Sequence, residues 1–430
     1  MGFNGVSRSK ARQRGELVAT LDVGTTKVAC FIARMDDHEQ SRVIGIGHQI
    51  SRGIRNGMVV DMEAAEKAIG HAVYAAEQMA GEQIRQVVVN LVGSRLASQI
   101  VGVDIAIAGH AVADGDLRRA LRSYGRAPIP PDSDIIHAIP VSYAIDGSRG
   151  IRDPRGMVGG TLGVDLHLVT AAMGAVRNLA TCIGHCHLEI ESLVVSPFAA
   201  GLACLVSDEM DLGCTVIDMG GGTTGIGVFF DGRMVFADCI PVGGSHVTND
   251  VARGLTTPLA HAERMKTLYG NAIPNVSDER ELIDVPQVGE DEPAQANHVP
   301  KSLLTGIIRP RLEEIFELVR GRLEASGFDK ASGRRVVLTG GASQLQGVRE
   351  LAQLVLDKQV RMGRPLAVHG LAEATCGPAF STAAGLLAYA ARYQADPVVA
   401  GLSGGQGEGD MAGGLWGRLG GWFRENLGDL

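Results

Sequence analysis

The sequence predicts an α/β protein of two similar domains with a cleft between them. Two segments, Leu21–Lys27 (LDVGTTK) and Ile217–Gly225 (IDMGGGTTG), repeat one pattern 196 residues apart. In each, an apolar strand ends in Asp and is followed by a glycine-bearing turn with paired threonines. A third apolar strand, Val336–Ser343 (VVLTGGAS), ends in two glycines and precedes a helix with one apolar face. Three such turns in this order predict a single cleft shared by two lobes.

These turns have the chemistry of a polyphosphate site. Glycine has no Cβ, so backbone N–H groups can crowd against an anion. Threonine hydroxyls add donors, and an Asp at a strand end can hold a hydrated Mg²⁺. Any one turn alone is better read as a tight strand-to-loop connection. The sequence contains neither a GxxxxGK[ST] P-loop nor the GxGxxG spacing of a dinucleotide fold.

Composition limits the class of protein. With 430 residues, 45% of them hydrophobic, the chain has room for two or more domains with substantial cores. A net charge of -8 without a basic stripe argues against nucleic-acid binding. The basic N-terminus is not followed by an apolar run, which predicts a cytoplasmic protein. Seven scattered cysteines suggest reduced core residues, and zinc binding in the Cys182–His187 cluster is disfavoured because its side chains point apart on a helix.

Periodicity organises the rest of the chain. Residues 93–173 are expected to form a compact α+β insert, with Asp114 capping a helix that runs to Tyr124. Pro197 suits the first turn of a helix that connects the lobes. A hairpin should turn at Asp231-Gly232, and the acidic, proline-containing segment 278–300 is expected to be a mobile surface loop.

The C-terminus combines a flexible tether with an amphipathic helix. Residues 394–412 are rich in Gly, Ser and acidic residues, typical of a linker. The segment 413–430 is too short and too polar to span a bilayer, so it is expected to lie in the membrane interface. The alternative is a terminal helix docked on its own domain. The apolar face predicted to enter the membrane comprises Leu415, Trp416, Leu419, Trp422, Phe423 and Leu427.

The three turns, the insert and the tail together resemble the FtsA family of actin-like bacterial cell-division proteins, from about Leu17 to Leu430. Three further segments resemble this family: Ser51–Gly57, His137–Ile145 and Leu338–Ala342. The resemblance implies an actin-like two-lobe fold of duplicated ribonuclease-H-like domains, with an FtsA-type 1C insert and a C-terminal amphipathic helix. It implies these boundaries: a basic flexible N-terminus (1–14), subdomain 1A (15–92 and 174–208), 1C (93–173), 2A (209–248 and 334–393), 2B (249–333), the linker (394–412) and the membrane helix (413–430).

The same resemblance implies a function in division. Members bind ATP with Mg²⁺, polymerise on the cytoplasmic face of the cell membrane at the septum and anchor the FtsZ ring through the FtsZ C-terminal peptide. They help to recruit later division proteins, here expected through subdomain 1C. The expected partners are therefore FtsZ, further copies of the chain, inner-membrane lipid and other division proteins, and no nucleic acid.

Site residues follow by matching motifs. Phosphates would be held by Gly24, Thr25, Thr26, Lys27, Gly220, Gly221, Gly222 and Thr223. Asp22 and Asp218 would hold Mg²⁺ through water. The ribose and base would meet Glu263, Lys266, Gly340 and Gly341. Arg311 is the candidate contact for the acidic FtsZ peptide, and the alternative is a solvated arginine at a helix end.

One position departs from hydrolytic actin-like and chaperone relatives. They place Glu or Gln at the start of the connecting helix to orient the attacking water, whereas Ser196 occupies the matching position here. Serine is a poor base with a short reach, so at most slow ATP hydrolysis is expected and nucleotide would act mainly as a conformational ligand. Two other functions share this fold: a scaffold of pilus or shape machinery, and a small-molecule kinase, for which no catalytic Asp stands out.

Overall fold

A computed structural model describes seven stretches of the chain: residues 15–35, 41–93, 95–123, 129–288, 297–330, 332–366 and 368–392. The basic N-terminal segment, the linker and the predicted membrane helix lie outside the described residues. The helices, strands and sheets described for this chain all lie within these seven stretches.

The described residues alternate strands and helices. The strands are β1 Leu17–Val23, β2 Lys27–Met35, β3 Ser41–Ile50, β4 Ile54–Arg55, β5 Met58–Val59, β6 Gln86–Leu91, β7 Ala97–Ala106, β8 Ser133–Ile145, β9 Ser148–Ile151, β10 Thr161–Ala172, β11 Glu189–Val195, β12 Cys214–Met219, β13 Thr224–Phe230, β14 Arg233–Ile240, β15 Leu282–Val285, β16 Asn297–Pro300, β17 Arg335–Thr339 and β18 Gln359–Met362. The helices are α1 Met62–Ala80, α2 Asp114–Arg122, α3 Met173–His185, α4 Ser196–Cys204, α5 Ser207–Leu212, α6 Gly244–Gly254, α7 Leu259–Tyr269, α8 Lys301–Ser326, α9 Val348–Leu356 and α10 Ser381–Arg392.

Two five-stranded sheets share one topology. The first has the strand order β11-β6-β1-β2-β3, and the second reads β18-β17-β12-β13-β14. In each, three consecutive antiparallel strands are extended by two parallel strands. The repeated turn lies at the same place in both sheets, between β1 and β2 in the first and between β12 and β13 in the second. The structure therefore shows the duplicated lobes that the repeated motif predicts.

Helix α1 packs closely against the first sheet through small residues. Its buried residues, among them Ala65, Ala72 and Ala76, recur at helical spacing and face the first sheet. Small residues on both sides permit a close approach: a Cβ at Gly47 of β3 would lie 1.9 Å from the carbonyl oxygen of Ala72. Asp61 caps the helix, because its carboxylate accepts the N–H of Ala64 at 3.1 Å.

The insert is a separate antiparallel sheet with its own core. Its strand order is β7-β10-β8-β9, and α2 packs on it through Leu117 and Leu121. The predicted cap is wrong by one residue. Ala113 is the N-cap and Asp114 is the first helical residue, while the carboxylate of Asp116 accepts the N–H of Ala113 at 3.0 Å. The helix ends at Arg122, and Tyr124 lies outside the described residues.

The prediction of a loop over 278–300 is wrong where the structure describes this segment. Strands β15 and β16 pair antiparallel there. Ile283 and Val285 alternate with exposed residues and are buried in the core of the second lobe, which fixes the hairpin. Asp278 is buried and lies 3.6 Å from the ammonium of Lys301 at the start of α8. Residues 289–296 are not described.

The two lobes are joined by the crossing of α4 and α10. All of α4 is buried, so its apolar and small residues pack on every side of the helix. A Cβ at Gly385 of α10 would lie 1.7 Å from the carbonyl oxygen of Ala199, so only glycine fits at this crossing. Within the described stretches, no helix is both long enough and apolar enough to cross a bilayer.

Candidate functional site

A cavity of about 440 Å³ lies between the two five-stranded sheets. It is lined by the three glycine turns, by the start of α6 and by α7. Most of the predicted nucleotide-site residues line it: Asp22, Gly24, Thr25, Thr26, Lys27, Asp218, Gly220, Gly221, Thr223, Glu263, Lys266, Gly340 and Gly341. Gly222 differs in that it packs against Thr25 of the opposite lobe.

The two repeated turns have the same backbone geometry. The N–H of Gly24 donates to the carbonyl oxygen of Lys27 at 2.9 Å, and the N–H of Gly220 donates to that of Thr223 at 2.9 Å. A Cβ would come within 2.9 Å of the Lys27 oxygen in the first turn and 3.1 Å of the Thr223 oxygen in the second. A side chain would therefore force a shift in the first turn and would be tightly packed in the second.

The turns meet each other across the cleft. A Cβ on Gly221 would lie 2.3 Å from Cγ2 of Thr26, and one on Gly222 would lie 2.6 Å from Oγ1 of Thr25. The glycines of the second lobe therefore leave just enough room for the threonines of the first. The paired threonines and the glycine run fit together as one interface.

Two buried carboxylates face this interface. Burial raises the pKa of Asp22 to about 6, and the positive charge of Lys27 opposes the rise. The pKa of Asp218 is also raised to about 6, first by burial and then by the charge of Asp22; the hydroxyl of Thr382, which donates at 3.0 Å, and Lys27 lower it. A buried acidic pair of this kind is under-compensated, and a divalent cation would restore its charge balance.

The donor set fits Mg²⁺. This ion keeps several waters and is usually held by one or two carboxylates together with substrate phosphates. Asp22 and Asp218 supply those two carboxylates at the ends of equivalent strands. In the described part of the chain, no cluster of three or more His, Cys, Asp or Glu side chains forms a complete metal cage.

Lys27 supplies a buried positive charge beside the first turn. Its ammonium donates to the carbonyl oxygen of Ala379 and lies 3.3 Å from the centroid of the Phe380 ring. Burial lowers its pKa, while Asp22 and Asp218 act to raise it. The second lobe therefore holds this cation by a carbonyl and a ring face, near the point where the turns meet.

Helices α6 and α7 contribute a hydrogen-bonded polar group to the cavity lining. The ammonium of Lys266 donates to Oε2 of Glu263 at 2.7 Å, to Oγ1 of Thr248 at 2.8 Å and to the carbonyl oxygen of Gly244 at 3.2 Å.

Gly340, in the third turn, has φ +88°, and a Cβ there would lie 2.4 Å from the carbonyl oxygen of Met219. The third turn can therefore approach the second only as glycine.

Asn90 is a cleft residue that sequence reasoning missed. Its side-chain oxygen accepts the N–H of Val23 at 2.6 Å, and its amide donates to Oγ of Ser196 at 3.1 Å. Ser196 in turn donates to the carbonyl oxygen of Leu91 at 3.4 Å. Both side chains are almost fully buried and line the cavity. The sequence signal that could have identified Asn90 is its position as a single polar residue near the end of the apolar strand β6.

Arg311 occupies the middle of α8, so the alternative of a solvated helix-end arginine is wrong. Its guanidinium forms two bonds with the carboxylate of Asp250, at 2.6 and 3.2 Å, and a third with Glu314. Its side chain is 28% exposed. Arg311 is not among the residues that line the cavity, and its contact with a partner peptide stays a prediction.

Comparison with known proteins identifies the family. A family model described as cell division protein FtsA matches residues 215–385, and a second, the SHS2 domain inserted in FTSA, matches residues 93–170. The chain is 46% identical to cell division protein FtsA of Rhizobium meliloti (strain 1021), covering 96% of both proteins.

Solved structures share the fold. The PilM-PilN type IV pilus biogenesis complex superposes with a TM-score of 0.62 at 19% identity, covering 87% of this chain and 98% of that one. MreB 5 of Spiroplasma citri bound to AMPPNP has a TM-score of 0.50 at 13% identity, covering 87% and 95%. At these identities the likeness establishes an actin-like fold and nothing more specific. The sequence matches, by contrast, extend over nearly the whole chain, and the protein belongs to the FtsA family of cell-division proteins.

Proposed function

We propose that the interlobe cleft binds ATP with Mg²⁺ and that this binding sets the geometry of the two lobes for assembly. The observation that carries the proposal is the meeting of two equivalent glycine turns over the buried pair Asp22 and Asp218. The likeness to MreB 5, a protein with the same fold that binds AMPPNP, supports the choice of nucleotide.

Each part of the cleft has a role in this proposal. Backbone N–H groups and threonine hydroxyls of the two turns contact the phosphates, and Lys27 balances their charge. Asp22 and Asp218 would hold a hydrated Mg²⁺, and the ion would supply positive charge to offset that of the phosphates. Glu263 and Lys266 meet the ribose and base at the polar end of the cavity.

Hydrolysis is proposed to be slow. The hydroxyl oxygen of Ser196 accepts a hydrogen bond from the amide of Asn90, and its proton is donated to the carbonyl oxygen of Leu91. A hydroxyl in this state is not a general base, and no carboxylate of α4 stands in its place. ATP then acts by stabilising one arrangement of the lobes, and turnover resets that arrangement slowly.

We also propose the division role that family membership supports. The protein polymerises on the cytoplasmic face of the cell membrane at the septum, held there by residues 413–430, for which the sequence predicts an amphipathic helix. It anchors FtsZ by binding the FtsZ C-terminal peptide on subdomain 2B, and subdomain 1C contacts later division proteins. In this role Arg311 would exchange part of its pairing with Asp250 and Glu314 for an acidic group of the peptide.

One pull-down tests the adaptor role. The purified protein is incubated with immobilised FtsZ C-terminal peptide, with and without MgATP. Arg311→Ala should reduce capture, whereas Arg309→Ala, a matched change on the same helix that removes only a pair with Glu313, should not. Equal capture by both variants would reject Arg311 as the contact, and no capture by the unchanged protein would reject the adaptor role.

ATP binding is tested separately by calorimetry. Lys27→Ala should weaken MgATP by at least about tenfold, because a charged hydrogen bond contributes about 1.5 to 3 kcal/mol. Removal of Mg²⁺ with EDTA should weaken ATP binding to the unchanged protein. If the protein bound no nucleotide in either condition, the cleft would have another ligand.

A further inference from the structure

The segment Ser51–Gly57 forms a brace behind the first glycine turn. It leads from β3 into the short hairpin β4–β5, which turns at Asn56-Gly57. Both turn residues have positive φ, +49° at Asn56 and +74° at Gly57, as the tightest hairpins require. The sequence singles out this segment, yet nothing in the proposed nucleotide site uses it.

The brace is hydrogen-bonded to both threonines of the turn. The N–H of Ser51 donates to the carbonyl oxygen of Thr26 at 3.0 Å. The N–H of Gly57 donates to Oγ1 of Thr25 at 3.1 Å. The Gly57 N–H occupies one acceptor site of this hydroxyl oxygen, and the O–H can still be donated to an anion in the cleft. The brace therefore orients Thr25 as a donor.

The tip of the brace also contacts the second lobe. A Cβ on Gly222 would lie 3.0 Å from Cα of Asn56, in addition to its clash with Thr25. On its other side the tip is held by backbone: a Cβ on Gly57 would lie 2.7 Å from the carbonyl oxygen of Val92, and one on Gly93 would lie 2.3 Å from that of Asn56. The tip has no room to retreat when Gly222 presses on it.

We propose that Ser51–Gly57 positions the first phosphate turn and forms a steric contact that limits how far the second lobe can close. Closing the lobes on nucleotide presses Gly222 against Asn56 and Thr25, and the brace holds the Thr25 hydroxyl where a phosphate oxygen needs it. Opening the lobes relieves that contact and loosens the brace. This inference rests on the proposed binding of ATP in the cleft.

A matched pair of glycine variants tests the positioning role. Gly57→Ala and Gly81→Ala both place a side chain at positive φ in the first lobe, at +74° and +69°. A Cβ at Gly81 meets nothing within 4 Å, whereas one at Gly57 strikes Val92. Gly57→Ala should weaken MgATP binding by about tenfold, the loss expected for a displaced hydrogen bond to a charged group. Gly81→Ala should bind MgATP as the unchanged protein does.

Hydrogen exchange of the unchanged full-length protein provides a readout that needs no variant. Addition of MgATP should slow exchange in a peptide spanning residues 51–57 as well as in one spanning residues 217–225. If residues 217–225 slowed and 51–57 did not, or if a folded Gly57→Ala bound MgATP normally, ATP binding would stand and the brace would be rejected. If neither peptide changed and calorimetry showed no binding, both the brace and the proposed cleft function would be rejected.

Discussion

Replacement of Asp218 by Asn should stabilise the protein without nucleotide while weakening its response to Mg²⁺. Asp218 is a strand-end carboxylate whose pKa is raised to about 6, mainly by burial and next by the charge of Asp22. At pH 7.5 the unliganded protein must keep this group ionised in a site that disfavours the charge. Asparagine has nearly the same shape and retains an oxygen that accepts the bond from Thr382.

The magnitude follows from the pKa. A rise from 3.8 to about 6 corresponds to about 3 kcal/mol, at about 1.36 kcal/mol for each pKa unit. Lys27 loses one of its two carboxylate neighbours in the variant, which offsets part of that gain. We therefore expect the free energy of unfolding at pH 7.5 to rise by about 1 to 3 kcal/mol.

The stability contribution of Asp218 depends on pH. Above pH 3.8 the unfolded carboxylate ionises freely while the folded one stays protonated until about pH 6. Ionisation therefore favours the unfolded state, and this contribution to stability is lost as pH rises from about 4 to about 6. Asp218→Asn should remove that loss, so the two proteins should converge near pH 4 and differ most above pH 6.

Urea denaturation in EDTA at several pH values measures the effect. Asp208→Asn is the control, because Asp208 is exposed on α5 and its replacement should change stability by less than about 0.5 kcal/mol. Calorimetry with ATP should show that Mg²⁺ no longer strengthens binding to the Asp218 variant. An Asp218→Asn protein no more stable than the parent at pH 7.5, with an unchanged pH profile, would refute the reasoning.

Three further changes test packing, catalysis and the tail. Gly385→Ala should lower the free energy of unfolding by about 3 kcal/mol or more, because its Cβ would strike Ala199. Gly321→Ala, on an open helix surface, should raise the free energy of unfolding by about 1 kcal/mol. Urea titration measures both variants. Ser196→Ala should leave steady-state phosphate release from ATP unchanged; loss of most turnover would overturn the assignment of Ser196 as a non-base. Deletion of residues 413–430 should abolish flotation with liposomes, and a deleted protein that still localised to the membrane in cells would contradict the proposed anchor.

Much of the fold could be predicted because its signals are local. The repeated Asp-plus-glycine turn and the 3.6-residue period of α1 each depend on residues within one or two turns of backbone. The turn of the second lobe's hairpin at Asp231-Gly232 is local in the same way, and both residues have positive φ. The error over 278–300 arose because charge and proline dominated the pattern, while two apolar residues, Ile283 and Val285, decided the pairing through burial in a remote core.

The candidate site was likewise predictable where its signals are local and unpredictable where they depend on distant residues. Residue types at strand ends pointed to Asp22, Asp218 and the glycines, because the chemistry of phosphate and Mg²⁺ binding limits which side chains serve. Asn90 was missed, because a lone amide in an apolar strand acquires meaning only from partners that are 67 and 106 residues away. The pairing of Arg311 with Asp250 spans 61 residues and was equally invisible.

By itself, the sequence determined that this protein has two lobes with matching phosphate turns and that it resembles the FtsA family, since those features are written in short motifs and their order. Tertiary structure alone decided that the turns touch, that the strand-end carboxylates are buried deeply enough to raise their pKa, and that Ser51–Gly57 stands behind Thr25 and against Gly222. The physical reason is that burial and close contact depend on which distant segments meet, whereas turn geometry depends mainly on the residues within the turn.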